Sequence, residues 1–474
     1  GASDAAAEDI GAGRPTLDGL SGEQYPSKTF ADSPEPRHQR VEKAWTLSTS
    51  RQGIHQEIYH VQKDDRYLRR KNGAPLFHQE INKELKELIN KKMKILLMGE
   101  YSNVHATLAE GLRKLGHEVT VLSNGDFWKN YPRDINMVRK PGKLGGILYL
   151  IKLYTIVHKL RGYDIVQLIN PLFLELKAER IFPIYRYLRK HNRKVVLDAF
   201  GMDYYWVSVC CQDKPLRYSD FNIGDELRTN ADALKERKDW LGTAKERLNR
   251  MIAEDCDGII AGLYEYWVCY QPHFPQKTTF IPYPIHTYTQ SYQDKDKEAP
   301  SVKASPVDIP RSPSQKLKLF IGINKSRSEY KGTDIMLKAA QAIAEKYPEK
   351  VELRIAQNVP FAEYVKMMNG SDAILDQLYS YTPSMNPLEA MARGIICIGG
   401  GEPENYEIIH EEHLRPIINV QPNYESVYQE LEHLVLHPEL IPQLKQQSIE
   451  YINKHHEYIK VAKQYEEYYK SLLA

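Results

Sequence analysis

Several features are scarce or missing in this chain of 474 residues, and each absence excludes a class of protein. The five cysteines form an odd set without zinc-ligand or secreted-framework spacing, which favours buried thiols in a reducing compartment. No apolar run is long enough to span a bilayer, since residues 144–158 are interrupted by Lys152. The 64 basic residues barely exceed the 62 acidic ones, which argues against a dedicated nucleic-acid-binding protein. The remaining composition, 42% apolar and 27% charged, is that of a globular protein.

The first part of the chain differs from the rest. Residues 1–30 have the composition of an unfolded leader, and apolar residues at every fourth position predict a helix over about residues 76–92. At Met93 the texture changes abruptly to that of a native start, so we interpret residues 1–92 as a fused or appended segment. No basic region followed by an apolar one precedes it. We therefore expect no secretory signal and a cytoplasmic protein, associated with the inner face of a membrane if with any.

Beyond Met93, strand and helix patterns alternate, with residues 94–98, 258–261 and 373–375 among the predicted strands. This alternation predicts an α/β fold with two Rossmann-like domains that face each other across a cleft. We predict an acceptor domain over residues 93–287 and a linker over 288–316, which is crowded with Pro, Ser, Asp and Lys. A nucleotide-sugar domain over 317–445 and a C-terminal helix over 446–474, packed across the domain junction, complete the prediction.

The most informative motif is SMNPLEAMARG at residues 384–394. Asn386 suits a helix cap, Pro387 the first helical position, and Glu389 follows the cap by three residues. Two interpretations stay open. Either Glu389 only closes a capping box, or the helix start binds phosphate or ribose oxygens with its free amides.

The stretch NPLEAMARG resembles the donor-site signature of the family 4 retaining glycosyltransferases, which have the GT-B fold. In that family two glutamates bracket seven residues; the first contacts the donor sugar and the second holds the nucleotide ribose. Glu389 matches the second, whereas the first falls at Tyr381. The resemblance implies a donor site lined by Ser384, Met385, Asn386, Leu388 and Glu389. It also implies a nucleotide-sugar donor, retention of configuration, and neither a metal nor a separate cofactor.

A second motif, GINKSRSEYKG at residues 322–332, follows a predicted strand. In the same family a loop at this place supplies an Arg and a Lys to the donor diphosphate, spaced as Arg327 and Lys331 are. Fixed cations stabilise the charge that grows on a departing diphosphate. The resemblance therefore implies catalytic roles for Arg327, Lys331 and Glu389, with Gly322 and Asn324 at the donor. Taken alone, two loop cations are more often solvated surface.

Two loops of the first domain complete the predicted cleft. The loop GEYSNVH at residues 99–105 is not a Gly-x-Gly-x-x-Gly fingerprint. Similar transferases bring this loop to phosphate and acceptor, which implies roles for Gly99, Ser102, Asn103 and His105; His105 is alternatively a helix-surface histidine. The family often has His-Gly-x-Asp after a later strand, where this chain has Phe200, Gly201 and Asp203. Asp203 either orients an acceptor hydroxyl or caps the segment that follows.

These observations predict a hexosyltransferase-like enzyme that moves a sugar from a nucleotide diphosphate to a glycan or lipid-linked acceptor. The alternatives are an epimerase of the same fold and a catalytically silent sugar-nucleotide-binding scaffold, which the departures at Tyr381 and Phe200 keep open. We expect no nucleic-acid partner. Residues 138–161 place Lys140, Lys143, Lys152, Lys159 and Arg161 around an apolar helix, which either contacts anionic lipid at the membrane periphery or is half buried.

Overall fold

The apolar run directly after Met93 forms an interior strand of the first sheet. The computed structural model describes residues 92–287, 315–323, 328–357 and 359–474, and the helix predicted before Met93 lies outside them. In strand β1 (Lys94–Met98) the side chains of Ile95, Leu96 and Leu97 are fully buried. Burial on both faces is typical of a parallel strand that helices cover from either side.

The first half of the described chain, residues 92–287, forms a sheet of seven parallel strands in the order β3-β2-β1-β4-β5-β8-β9. After β1, the strands of this sheet are β2 (Glu118–Ser123), β3 (Ile135–Asn136), β4 (Ile165–Leu168), β5 (Lys194–Ala199), β8 (Gly258–Ala261) and β9 (Thr278–Phe280). A separate antiparallel hairpin consists of β6 (Asn222–Ile223) and β7 (Glu226–Leu227). The helices of the first half are α1 (Val104–Lys114), α2 (Gly142–Ile156), α3 (Ala178–His191), α4 (Tyr204–Gln212), α5 (Ala231–Trp240), α6 (Ala244–Asp255) and α7 (Tyr264–Tyr270).

The second half, residues 315–455, repeats the pattern with five parallel strands in the order β11-β10-β12-β13-β14. These strands are β10 (Leu317–Ile323), β11 (Val351–Gln357), β12 (Ala373–Leu375), β13 (Ile396–Gly399) and β14 (Ile418–Asn419). The helices are α8 (Ser328–Lys331), α9 (Thr333–Lys346), α10 (Phe361–Asn369), α11 (Met385–Ala392), α12 (Pro403–Glu407), α13 (Tyr424–Leu436) and α14 (Leu440–His455). The α/β fold with two Rossmann-like sheets is therefore as the alternation predicts, although α8 lies where a loop was expected.

The last helix, α15 (Tyr458–Leu473), follows the second half in the chain but packs against α1 of the first. Its approach is close at Gly111, where an added Cβ would lie 2.7 Å from the Cβ of Ala462 and 2.8 Å from the carbonyl oxygen of Tyr458. By contrast, α14 packs on α11 and β13. The two C-terminal helices thus attach to different sheets.

The halves share one buried apolar cluster, which runs from the first sheet to α11, α14 and α15. Four of the five cysteines are buried and all five are free thiols, as their spacing predicts. Among the described helices, none has the length and apolar content needed to cross a membrane.

Candidate functional site

The loop after β1 is a tight turn at the carboxyl edge of the first sheet. Gly99 has a φ of +87°, and a Cβ there would lie 2.2 Å from the side chain of Ile169, so only glycine fits. Ser102 and Asn103 also have positive φ values, 50° and 72°. The backbone N–H of Ser102 donates to the carboxylate of Asp126 at 2.9 Å, which ties this loop to the one after β2. Three of the predicted loop residues therefore lie together at the cleft edge.

Glu100 fills the N-terminus of α1 with its own carboxylate. It accepts the backbone N–H groups of His105 at 3.2 Å and Ala106 at 2.8 Å. Burial raises the pKa of this carboxyl to about 7. Glu100 is not among the predicted site residues, although an acidic residue just before a predicted helix is a usable signal for this role.

His105 lies beneath the loop, not on a helix surface. Its ring is fully buried, with Nδ1 2.8 Å from the carbonyl oxygen of Gly99 and Nε2 3.0 Å from Asp198 Oδ2. Gln167 donates to the same Asp198 oxygen at 2.8 Å and accepts the hydroxyl of Tyr469 on α15. Because both ring nitrogens are engaged, the prediction that His105 faces phosphate or acceptor is wrong for this conformation, and so is the surface alternative. His105 instead supports Gly99 from below.

Gly201 and Asp203 follow β5 and take different places. The ring of Tyr101 lies against Gly201, 3.3 Å from where a Cβ would stand. Asp203 is fully buried, accepts the N–H of Trp206 at 2.8 Å as the N-cap of α4, and accepts the hydroxyl of Tyr270 at 2.7 Å. Burial raises its pKa to about 7. Of the two interpretations, the structure shows the cap, so Asp203 is not available to orient an acceptor.

In the second half, Gly322 near the end of β10 lies under the ring of Tyr364. A Cβ at Gly322 would meet that ring at 2.7 Å, so the glycine permits the contact. Lys331, at the end of α8, lies close enough to Asp376 for its charge to lower the pKa of that carboxyl, although burial has the larger effect and raises it to about 6. Two predicted donor residues, Asn324 and Arg327, lie outside the described residues.

Helix α11 begins two residues earlier than its sequence predicts. Its N-cap is Ser384, which makes no side-chain cap bond, and the first turn contains no acidic residue. Asn386 is therefore inside the helix, where its amide donates to the hydroxyl of Tyr364 at 3.0 Å. Glu389 is the fifth helical residue, too far along to close a capping box. That interpretation is wrong, because Ser384 takes the cap that Asn386 was expected to provide.

The remaining donor-site candidates on α11 divide by burial. Met385 and Leu388 are in the apolar core, so they can offer a ligand only their backbone. Glu389 is half buried, and burial raises its pKa while the nearby charges of Arg393 and Lys129 lower it. Lys129 belongs to the first half, as does Tyr131, whose raised pKa reflects burial first and then the charge of Glu389. Charged and polar groups of the first half therefore lie near Glu389.

Lys129 is itself held in place by the first half. Its ammonium group is 2.6 Å from Asp126 Oδ2, the oxygen that accepts the N–H of Ser102. One carboxylate therefore joins the loop after β1 to the cation that faces α11. No motif marked Asp126, Lys129 or Tyr131 in the sequence, because their proximity to Glu389 depends on the arrangement of the two halves.

Tyr381 occupies the position of the first family glutamate and is buried between the halves. Its hydroxyl accepts the backbone N–H of Arg217 at 2.6 Å, and the Arg217 guanidinium lies 4.8 Å from the ring centroid. The rings of Tyr218 and Tyr264, also from the first half, pack against it. This position therefore joins the halves and presents no carboxylate to a ligand.

A buried carboxylate from the first half fastens the same segment. Glu265 on α7 accepts the hydroxyl of Ser380 at 2.7 Å, the N–H groups of Tyr381 and Thr382 at 3.0 and 3.2 Å, and the Thr382 hydroxyl at 2.6 Å. Burial raises its pKa, and these hydrogen bonds oppose that shift. The residues that lead into α11 are thus fixed by a side chain of the opposite half.

Arg228, just after the hairpin of β6 and β7, is a first-half side chain that fixes the position of α8 in the second half. Its guanidinium donates to the carbonyl oxygens of Glu329 and Tyr330 at 2.9 and 3.1 Å and lies 3.5 Å from the ring centroid of Tyr379. Because Lys331 follows directly, Arg228 positions the helix that carries it. A lone arginine in a polar stretch gave no sequence signal for this role.

The geometry can now be compared with known proteins. Residues 327–467 match the model of a family described as glycosyl transferase-like. Sucrose-phosphate synthase from Thermosynechococcus elongatus superposes with a TM-score of 0.51 at 12% identity, over 80% of this chain and 99% of that one.

The fold is GT-B, and the second half is glycosyltransferase-like. The GT-B chain is also similar to HepE from Anabaena in complex with UDP-glucose, with a TM-score of 0.49 and 11% identity over 80% of this chain and 100% of that one. No curated protein sequence matches it. The family match begins at Arg327 and includes α11, whereas the first half of the GT-B chain is related to known proteins by its fold.

Proposed function

We propose that this protein transfers a sugar from a nucleotide diphosphate to a glycan or lipid-linked acceptor, with retention of configuration. The observation that carries the proposal is the position of Glu389 on α11 of the transferase-like half, near enough to Lys129 of the first half for that charge to lower its pKa. A ligand bound there contacts both halves, as transfer between a donor and an acceptor requires.

The donor-side roles follow from charge and position. Glu389 binds the hydroxyls of the ribose, because a half-buried carboxylate accepts two such hydrogen bonds. The diphosphate lies at the N-terminus of α11, where unpaired amides and the helix dipole favour negative charge. Lys331, and Arg327 as the family resemblance implies, stabilise the charge that develops as the diphosphate departs.

The transfer step is same-face attack by an acceptor hydroxyl as the bond to the diphosphate breaks. Charge on the leaving group is neutralised by side-chain cations, so we propose that the reaction needs neither a metal ion nor a separate cofactor. No carboxylate is assigned as a nucleophile: Asp198 and Asp203 are fully buried, and Glu100 serves the α1 amides.

Tyr381 supports a second candidate, a scaffold that binds a sugar nucleotide without turnover. Where the family glutamate contacts the donor sugar, this chain uses the position to join its halves. A protein that keeps the ribose contact but lacks the sugar contact would bind the nucleotide and leave the sugar unprocessed.

A thermal-shift screen with UDP-, GDP- and ADP-sugars tests the donor site. A ligand at about a hundred times its Kd adds about 2.7 kcal/mol of stability. We expect one nucleotide class to stabilise the wild type, to lose most of that effect in Glu389→Gln, and to keep it in Glu412→Gln, a control that is 84% exposed. If no sugar nucleotide shifts the melting of the folded protein, the donor-site assignment is wrong.

Turnover separates the two candidates. Release of the nucleoside diphosphate, either to an added acceptor or by slow hydrolysis, supports the transferase. Stabilisation by a sugar nucleotide without any such release supports the scaffold.

A further inference from the structure

Helix α2 carries a stripe of exposed apolar side chains on the first half. Its buried residues are Gly145, Tyr149 and Leu153, which form the face that packs on the protein. The exposed stripe, from 49% to 69% accessible, consists of Leu144, Ile147, Leu148, Ile151 and Tyr154. A contiguous exposed apolar patch of this kind usually marks a site where the protein binds another molecule or a membrane.

The helix and the residues that flank it in the chain carry only positive charges. Residues 138–162 contain six Lys and Arg residues and no Asp or Glu, in a chain whose net charge is only +2. At helical spacing, Lys143 and Lys152 fall on opposite edges of the stripe. Arg180 on α3 lines the groove beside Ile147 and Ile151.

Most of these cations are not used for internal pairing. Within the described part of the chain, no ion pair is formed by any of Lys140, Lys143, Lys159 and Arg161. Lys152 donates to the carbonyl oxygen of Asn136 at 2.6 Å, which leaves its positive charge uncompensated. An acidic side chain, Glu175, accepts the backbone N–H of Arg139 at 3.1 Å.

As an extension of the proposed transfer to a lipid-linked acceptor, on which it rests, we propose that α2 docks this protein onto an anionic membrane surface. The stripe enters the boundary between headgroups and acyl chains, and the flanking cations bind lipid phosphates. At about 1.5 Å per residue, a helix of 15 residues is about 22 Å long, shorter than the roughly 30 Å hydrocarbon core. We therefore expect α2 to lie parallel to the membrane surface and not to cross the membrane.

Charge selects the lipid surface over a second copy of this chain. Two copies that paired through α2 would bring two sets of cations face to face, which opposes association. An anionic bilayer satisfies both features together, since it takes up the apolar side chains and neutralises the charge.

The position of α2 fits the delivery of an acceptor to the cleft. The helix follows β3, a parallel strand of the first sheet, so it begins at the sheet edge that also carries the loops after β1 and β2. Those loops hold Ser102 and Lys129, on the first-half side of Glu389. A lipid-linked acceptor at the membrane surface would thus lie at the same edge as the cleft.

Vesicle sedimentation tests the docking surface without requiring activity. The full chain is mixed with vesicles of phosphatidylcholine alone or with about one third phosphatidylglycerol. We expect binding to the anionic vesicles only, weakened by salt because screening reduces charge attraction. The double variant Ile147→Glu/Ile151→Glu should lose at least about tenfold in affinity, and each of Lys140→Ala and Lys143→Ala about fivefold. Leu436→Glu, at a residue 48% exposed on α13, is the matched control and should bind as the wild type does.

Three outcomes would overturn the proposal: no binding by the wild type, equal binding by the stripe variants, or dimers that the stripe variants dissociate without any vesicle binding. Circular dichroism and melting check that each variant is folded. The stripe variants should keep their thermal response to the sugar nucleotide, so a failed donor site and a failed docking surface are distinguishable.

Discussion

The two helices that begin at the cleft, α1 and α11, are held by carboxylates in opposite ways. At α1 the carboxylate of Glu100 comes from the preceding loop and accepts the first amides of the helix itself. At α11 the carboxylate of Glu265 comes from the other half and accepts groups upstream of the helix, at residues 380–382. One helix start is thus filled by its own chain, whereas the other is fixed in place without an acidic residue in its first turn. Although the folds of the two halves are similar, the N-terminus of α11 can therefore bind a ligand anion, whereas the N-terminus of α1 is already occupied by the carboxylate of Glu100.

The largest expected effect comes from Glu265→Ala, which removes the support of α11. Three buried donors lose their acceptor, since the Ser380 hydroxyl keeps the carbonyl oxygen of Thr382 at 2.7 Å, and each unpaired group costs about 1–3 kcal/mol before relaxation. We expect a loss of about 4 kcal/mol in the free energy of unfolding, measured by urea denaturation. Glu265→Gln, which keeps one acceptor oxygen, should lose less than half as much. A change below about 1 kcal/mol in Glu265→Ala would contradict the role of this carboxylate.

Glu100→Gln tests the filled end of the comparison through pH. The pKa of Glu100 is about 7 in the folded protein against an ordinary 4.5, so between those values the unfolded chain releases a proton that the folded chain keeps. The wild type therefore loses stability as the pH rises through this range, by on the order of 3 kcal/mol from this group. Glu100→Gln should flatten the decline, whereas Glu439→Gln, 66% exposed, should not. If stability falls with pH equally in Glu100→Gln and the wild type, burial does not raise the pKa of Glu100.

Glu389→Gln tests the open end. Loss of a charged acceptor for the ribose hydroxyls removes about 1.5–3 kcal/mol, so kcat/KM should fall about 10- to 150-fold with the donor that the thermal screen identifies. The fall should appear mainly in the KM for the donor, since the ribose contact is the same in ground and transition states. An unchanged kcat/KM would place the donor elsewhere.

The smallest effect is expected for Tyr381→Phe, which removes only the hydroxyl that accepts the N–H of Arg217. The ring contacts remain, so the free energy of unfolding should fall by about 1 kcal/mol. Tyr154→Phe, at a residue 58% exposed, is the control and should leave it unchanged. A gain in stability would show that the hydroxyl is not needed to join the halves.

The sequence predicted the parts of the fold that depend on local patterns. The strands β1, β8 and β12 have the bounds that their apolar runs predict, because an apolar run between turn signals marks a covered strand. The start of α11 was misplaced, since Asn386 and Ser384 are both good caps and only tertiary contacts, here with Tyr364, decide between them. The roles of His105 and Asp203 were missed or left open for a related reason. Burial converts a loop histidine and a loop carboxylate into internal supports, and burial depends on distant residues.

The inter-half residues had no local signal at all. Glu265 and Arg228 lie far in the chain from the groups that they contact in the second half, and Lys129 lies far in the chain from Glu389, whose pKa its charge lowers. Their partners are determined by how one sheet lies on the other, which neither periodicity nor motif spacing encodes. The roles of Arg327 and Asn324 stay predictions.

The attachment of α15 to the first half has a practical consequence for dividing this protein. In a fragment of residues 315–474, α15 lacks the sheet on which it packs. Its buried tyrosines, Tyr465 and Tyr469 among them, would then be exposed to solvent. A fragment of residues 92–287 leaves the groove beside α1 empty. The two fragments carry the two sides of one interface, α15 on one fragment and α1 on the other. We therefore expect the fragments to reassemble when they are expressed together, because α15 of the second fragment packs on the first.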